Sequence, residues 1–154
     1  MAKSPTKNST VQMGESLKKV LSDTYVLMVK THGYHWNVTG DLFPQLHAFL
    51  ETEYTGLFEA ADAVAEQMRK LNLPALGSMS AFLGNTVVKE ASNQNLNATA
   101  MLKDLLKTHE QVRARVSEAC DLAGEIGDKA TEDLMIERLH AHDKAMWMLR
   151  AQVG

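Results

Sequence analysis

Apolar residues recur every three or four positions along four long segments of the chain, the spacing that places side chains on one face of an α-helix. The pattern predicts a first helix over about 13–37, a third over about 95–123 and a fourth from about 128 to 151. The second helix carries an apolar stripe that consists of Leu46, Leu50, Leu57, Ala61, Val64, Met68 and Leu71. Four amphipathic helices of this length can bury their stripes against one another, so we predict an all-α, four-helix bundle.

The segment between the second and third helices is too polar and too interrupted to be a full bundle helix. It begins after a break at Asn72, Pro74 and Gly77, and it offers only a short helical candidate over 80–83. We predict that it is a long crossover carrying a short extra helix, which would connect two parallel neighbours in the bundle.

Composition agrees with one globular domain of 154 residues, of which 45% are hydrophobic. The chain has no apolar run of about 18 residues and no signal-like N-terminus, so we expect no membrane association and a cytoplasmic location. Residues 1–10 are polar and are predicted to be a flexible tail before a domain over 11–154. Lys3 and Lys7 leave open whether this tail binds DNA or is a frayed terminus, and the net charge of −3 favours the second interpretation.

Two histidines and three carboxylates are candidate metal ligands: His35, His47, Glu51, Asp62 and Glu66. His35 ends the first helix, whereas the other four lie on the second. His47 and Glu51 are four residues apart, as are Asp62 and Glu66, so each pair lies on one helix face. Glu51 and Asp62 point within about 20° of each other but lie about 16 Å apart along the axis, so one metal ion cannot contact both.

The four polar residues of the second helix point away from its own core. On a helical wheel, their centre lies about 125° from the centre of the apolar stripe. A like helix laid antiparallel across a two-fold axis would bring His47 and Glu51 of one chain opposite Asp62 and Glu66 of the other. The pattern therefore predicts two equivalent metal sites per dimer, with His35 joining each from the preceding helix.

A conventional di-iron centre inside the bundle is the main alternative. It requires a Glu-x-x-His motif on each of two helices. The chain has one such motif, from Glu137 to His140, and these two residues are predicted to face solvent. Zinc also remains open as a substitute metal, because His and carboxylate ligands do not select iron unaided.

Three motifs carry a family resemblance: HWNVTG at His35, LHAFLE at His47 after twelve residues, and DAVAE from Asp62 to Glu66. Together they resemble the Dps family, the DNA-binding proteins from starved cells within the ferritin-like superfamily, over essentially the whole chain after the first dozen residues. The fold implied is a ferritin-like four-helix bundle. One position varies within the family, because some members have Asp where this chain has Glu51.

The resemblance implies a ferroxidase and iron-storage protein that protects DNA from oxidative damage. The five candidate ligands would form a centre for two iron ions at a dimer interface, inside a hollow homododecamer that oxidises Fe(II), preferably with hydrogen peroxide, and stores the ferric mineral. His32 and Trp36 are candidates for residues that surround the ligands. The alternative is mainly a DNA-compacting stress shell whose metal site is structural, with DNA as partner and association with the nucleoid.

Overall fold

The computed structural model describes residues 6–91 and 95–154, which form five helices and no strand. In chain order they are α1 (Lys7–Asn37), α2 (Phe43–Lys70), α3 (Met79–Asn85), α4 (Ala98–Ile126) and α5 (Lys129–Val153). Within those ranges, none of the helices combines the length and the hydropathy that spanning a bilayer demands. The predicted all-α class is therefore confirmed.

Contacts between α1 and α4 show that these helices run antiparallel. Asp23 and Tyr34, eleven positions apart on α1, pair respectively with Arg115 and Asp104 on α4, so the order along one helix reverses along the other. Because a short turn over 38–42 also makes α2 antiparallel to α1, α2 and α4 run parallel. Two parallel neighbours require a connection as long as the bundle, and the segment with α3 supplies it. The predicted crossover with a short extra helix is confirmed.

The first helix begins six residues earlier than predicted. Thr6 is its N-cap, and the Thr6 hydroxyl accepts a hydrogen bond from the backbone N–H of Ser9. The last four residues of the predicted tail are therefore helical, whereas residues 1–5, including Lys3, lie outside the described residues. The apolar pattern could not indicate this start because the first turns bury little, as the 50% exposure of Val11 shows.

The boundary between the last two helices also differs from the prediction. Gly124 lies inside α4, which continues to Ile126, and Gly127 ends it in a left-handed conformation with φ of 76°. Only glycine adopts this conformation without steric cost, so Gly127 is the C-terminal signal and Gly124 is not. Asp128 then caps α5 by accepting a hydrogen bond from the N–H of Thr131.

The bundle core consists of the predicted stripes. Six of the seven stripe residues of α2 are buried, whereas Leu71 is partly buried. The other elements bury their own stripes in the same cluster, which includes Leu17, Leu21, Leu27, Phe82, Leu102, Leu105, Val112, Val116, Met135 and Leu149. One contiguous core therefore fixes the relative positions of all helices, and with them the positions of the candidate ligands.

A buried carboxylate fastens the crossover to the bundle. Asp23 has no exposed surface, and its Oδ1 accepts hydrogen bonds from the Thr86 hydroxyl at 2.7 Å and from the Val87 N–H at 2.8 Å. Its Oδ2 lies 3.5 Å from Nη1 of Arg115. Burial raises the pKa of Asp23, although these hydrogen bonds and the nearby Arg115 oppose the shift. This one side chain therefore connects α1, the crossover and α4.

We expect Asp23→Ala to lower the free energy of unfolding by about 2–4 kcal/mol, because it leaves two hydrogen-bond donors and a guanidinium without their acceptor. Asp23→Asn should cost less, since its carboxamide oxygen can still accept from Thr86 and Val87. Denaturant unfolding at fixed subunit concentration measures both, with Asp121→Ala on the exposed surface of α4 as control. A loss no larger in Asp23→Ala than in Asp121→Ala would contradict this role.

The stability of the wild type and that of Asp23→Asn should depend differently on pH. A raised pKa in the folded state means that the native protein holds the proton of Asp23 more tightly than the unfolded chain does. The wild type should therefore lose stability relative to Asp23→Asn as pH rises from the unfolded pKa, about 3.9, through the raised folded pKa. Denaturant unfolding of both proteins across that pH window should show their difference in stability changing with pH. A difference that stays constant would contradict the raised pKa of Asp23.

Candidate functional site

His35 and His47 are brought together by the turn between α1 and α2. His35 lies in the last turn of α1 and is 7% exposed, whereas His47 lies in the second turn of α2 and is half-buried. The turn is sharp because Gly40 adopts φ of 109°, and Pro44 occupies the first turn of α2, where its missing N–H is tolerated. The two imidazole rings consequently stack, with centroids 3.7 Å apart.

Each histidine donates a hydrogen bond to the backbone of the other. His35 Nδ1 lies 2.8 Å from the carbonyl oxygen of His47, and His47 Nδ1 lies 2.9 Å from the carbonyl oxygen of His35. Because a carbonyl oxygen only accepts, both Nδ1 atoms carry the proton. In the neutral rings, Nε2 then has the free lone pair that a metal ion requires. The His35 carbonyl is one of the last in α1 and has no N–H partner within the helix, so it is free to accept the bond from His47.

Aromatic side chains surround the histidine pair. The Tyr54 ring meets the His35 ring edge-on at 5.1 Å and stacks on the His32 ring at 4.0 Å. The Trp36 ring lies 3.9 Å from the His32 ring, and the Phe43 ring lies 5.0 Å from the His47 ring. Burial lowers the pKa of His32, with a smaller contribution from His35. Sequence reasoning missed Tyr54 and Phe43, although Tyr54 follows His47 by seven residues and thus lies near its helix face.

The three carboxylates lie on the exposed side of α2. Glu51, Asp62 and Glu66 are all exposed. In the parts of the chain that the structure describes, no three His, Cys, Asp or Glu side chains come together as a metal-binding group. The structure therefore assembles the two histidines and leaves the three carboxylates facing outward along one helix.

A groove of about 320 Å³ lies beside Asp62, between α1, α2 and the start of α3. Apolar side chains form most of its wall, including Tyr25, Phe82 and Met79, and Phe58 stands at its edge with 58% of its surface exposed. Large apolar surfaces of this kind mark contact sites between proteins more often than ordinary solvent-facing surface. Phe58 also lies on α2 between the Glu51 and Asp62 positions.

The interior of the bundle contains a second histidine pair, and the described residues gather no set of three candidate metal ligands there. His109 and His142 are 2% and 1% exposed, and their Nδ1 atoms lie 2.9 Å apart. Burial lowers the pKa of His109 to about 4, with the charge of Arg138 adding to the shift. The residues of the lone Glu-x-x-His motif, Glu137 and His140, are exposed, as predicted. The apolar spacing along α4 and α5 includes both histidines, but sequence reasoning did not predict that they pair.

The chain matches the family model described as ferritin-like domain over residues 14–154. A "DNA protection during starvation protein" of Helicobacter pylori is 30% identical, over 91% of this chain and 97% of the relative. An uncharacterized low temperature-induced protein of Nostoc sp. is 38% identical, over 88% of this chain and 76% of the relative. Both relatives thus match nearly the whole chain.

Solved structures also match this chain over nearly its whole length. Antigen TpF1 from Treponema pallidum superimposes with a TM-score of 0.95 at 30% identity, covering 99% of this chain and 98% of that chain. The Dps protein from Vibrio cholerae, described as a member of a broad superfamily of ferritin-like diiron-carboxylate proteins, gives a TM-score of 0.93 at 28% identity, with 100% and 98% covered. The chain therefore belongs to the Dps family of ferritin-like proteins.

Proposed function

We propose that this protein oxidises Fe(II) and stores the Fe(III) product, and that it thereby protects DNA from oxidative damage. Membership of the Dps family supports iron storage and DNA protection as the general role. The reaction and its residues are inferred from the site. Two iron ions would bind as substrates at each of two equivalent sites in a dimer, and the dimers would build a hollow dodecamer.

The reciprocal hydrogen bonds between His35 and His47 carry this proposal. They hold both rings in the tautomer that suits metal binding, and they do so within a single chain. His35, His47 and the adjacent Glu51 would bind the first iron ion.

Asp62 and Glu66 of the partner subunit would complete the site. Their exposure on the face that also carries Glu51 supports an origin in a second chain, since Asp62 lies about 16 Å from Glu51 along the axis of α2 and cannot reach the histidine pair of its own chain. The exposed Phe58 between the two ligand clusters supplies apolar surface for the same two-fold contact. An isologous dimer places each cluster opposite its complement and so creates both sites at once.

The ligand types suit Fe(II) oxidation. Carboxylates stabilise the harder Fe(III) product, and the imidazoles bind Fe(II). Two Fe(II) ions give one electron each to hydrogen peroxide, whose O–O bond breaks and, with two protons, yields two water molecules. Oxidation in pairs avoids the hydroxyl radical that a single electron would release. His32, Trp36 and Tyr54 would orient the ligands and exclude water around them.

The preference for hydrogen peroxide over oxygen can be tested with the metal-free wild-type protein. We expect faster Fe(II) oxidation with hydrogen peroxide than with oxygen, and consumption of about two Fe(II) per peroxide, which follows from the electron balance of the proposed reaction. Stopped-flow absorbance of Fe(III) and a peroxide electrode measure the two quantities, with the same buffer lacking protein as control. Oxidation no faster than in that buffer would refute the proposal. Inhibition by added Zn²⁺ would show that zinc enters the same site as a substitute.

A shell that mainly compacts DNA is the second candidate function. It is worth testing because several relatives are named for DNA protection. Phosphate contacts by lysine and arginine weaken steeply as salt rises. Gel shifts of plasmid DNA should therefore show a complex at low salt that disappears at higher salt if the protein binds DNA. With a net charge of −3 per chain, we expect no shift at physiological salt. A shift that persists there would make DNA binding a function of this chain.

A further inference from the structure

The buried histidine pair of the core joins α4 to α5. His109 lies near the middle of α4 and His142 near the middle of α5, and their Nδ1 atoms are 2.9 Å apart, a hydrogen-bond distance. The two rings meet edge-on, with centroids 5.1 Å apart. Helix α5 packs mainly against α4 and touches α2 only sparsely. The bond between the two rings therefore lies in the contact that holds α5 to the bundle.

A hydrogen bond between two Nδ1 atoms limits how many protons the pair can carry. One ring must donate and the other must accept, so only one of the facing Nδ1 atoms is protonated in the neutral pair. A first added proton can bind Nε2 of the donor ring and leave this bond intact. A second added proton must bind the accepting Nδ1, and two N–H donors then face each other across the same short distance. The doubly protonated pair cannot keep its contact.

The surroundings of the two rings do not compensate a positive charge. His109 and His142 are 2% and 1% exposed, so water cannot solvate a charged ring. Nε2 of His142 has no hydrogen-bond partner among the described residues, so a proton on this atom lacks an acceptor. Burial lowers the pKa of His109 to about 4 and lowers the pKa of His142 well below its usual range. The folded core therefore favours the neutral pair.

The charged side chains near the pair come from α2, α4 and α5 and largely neutralise one another. They are Glu53, Arg113, Glu137, Arg138, Asp143 and Lys144. Arg113 is paired with Asp143, whereas Arg138 faces both glutamates. Lys144 also faces Glu53. The carboxylates thus compensate these cations, and a protonated histidine would add a charge that has no counter-ion.

We propose that the His109–His142 pair is an acid-sensitive latch, which holds α5 on α4 while both rings are neutral and releases α5 when both are protonated. A histidine whose pKa is lower in the folded protein than in the unfolded chain takes up a proton on unfolding, so acid favours the open state. The stability that the pair contributes is complete above the unfolded pKa, about 6.5, and is lost as the pH falls through the folded pKa of His109, about 4. The latch does not depend on iron oxidation.

Denaturant unfolding of the metal-free, assembled protein at fixed subunit concentration, from about pH 7.5 to about pH 4, tests the latch. The comparison is with His109→Gln/His142→Gln, whose two carboxamides can still bond each other but do not titrate in this range. From about pH 6.5 to about pH 4.5, the unfolding equilibrium constant of the wild type should rise about ten-fold or more relative to that of the double variant. The ratio cancels the titration of the groups that both proteins share, including His32.

The matched control is His140→Gln, which removes an exposed histidine from the same helix as His142. It should keep the pH dependence of the wild type. Equal pH dependence in the wild type and the double variant would overturn the proposal, and so would a change in His140→Gln as large as that in the double variant.

Hydrogen exchange of the wild type, followed by mass spectrometry, locates the opening and decides alone if the double variant lacks helical content. After correction for the chemical exchange rate, protection around His109 and His142 should fall about ten-fold or more from about pH 6.5 to about pH 4.5. It should fall further than protection around Leu21 in the middle of α1. Unchanged protection around the pair, or a loss no greater than that around Leu21, would refute the release of α5 from α4.

Discussion

Co-expression of the His47→Ala and Asp62→Ala chains is expected to restore about a quarter of the wild-type rate of Fe(II) oxidation, although each variant alone should have lost at least about ten-fold. The reason is the division of each proposed site between two chains. If chains pair at random, about half of the dimers are mixed, and each mixed dimer contains one intact site and one doubly altered site. The rate with hydrogen peroxide, measured on assemblies whose chain ratio is known from mass spectrometry, gives the recovered fraction.

Two variants from the same cluster provide the matched control. His47→Ala and Glu51→Ala should not restore one another, because every site in a mixed dimer would then lack one of the two ligands. Glu59→Ala and His140→Ala, which remove exposed residues of the same types from α2 and α5, should leave the wild-type rate unchanged. A mixed assembly of His47→Ala and Asp62→Ala as inactive as its parents would show that the site does not form between chains.

Asp104→Ala is expected to have the largest effect on stability, a loss of about 3–5 kcal/mol in the free energy of unfolding. The Lys30 ammonium, whose side chain is 3% exposed, lies 2.7 Å from Oδ2 of Asp104 and donates to the Thr108 hydroxyl at 3.1 Å. The Tyr34 hydroxyl donates to the same carboxylate at 2.7 Å. Removal of that carboxylate leaves a buried charge without a counter-ion. Chemical denaturation at fixed subunit concentration measures the loss.

A double variant separates the lost pair from other effects of the substitution. Lys30→Met removes the buried charge, so Lys30→Met with Asp104→Ala should be more stable than Asp104→Ala alone. Glu110→Ala, which removes an exposed carboxylate from the same helix, serves as the control and should change stability by less than about 0.5 kcal/mol. If adding Lys30→Met destabilised Asp104→Ala further, the buried charge would not be the cause.

The amphipathic pattern was sufficient to predict the bundle, because burial of one stripe per helix is what stabilises this architecture. It also located the crossover, whose polar residues could not form a fifth long helix. Helix ends were predicted less well. Thr6 and Gly127 act through a hydroxyl cap and a left-handed backbone, and neither changes the apolar period.

Local spacing indicated that His35 and His47 are close, since one short turn separates their helices. It could not indicate that each ring would bond the carbonyl of the other, because that depends on the crossing of α1 and α2. The same limit applies to the pair of His109 and His142, which lie 33 residues apart. The positions of Asp62 and Glu66 relative to the histidines of a second chain remain a prediction.

The mutual bonds of His35 and His47 would link metal uptake at the proposed site to the folding of the first hairpin. The chain closes its first hairpin with the same Nδ1 atoms that fix the imidazole tautomers at the proposed metal site, so both rings are held in place before any ion binds. Uptake of the first ion should then cost little side-chain entropy, and affinity can be high although the hairpin supplies few donors. A substitution that loosens the hairpin would weaken metal affinity without touching a ligand.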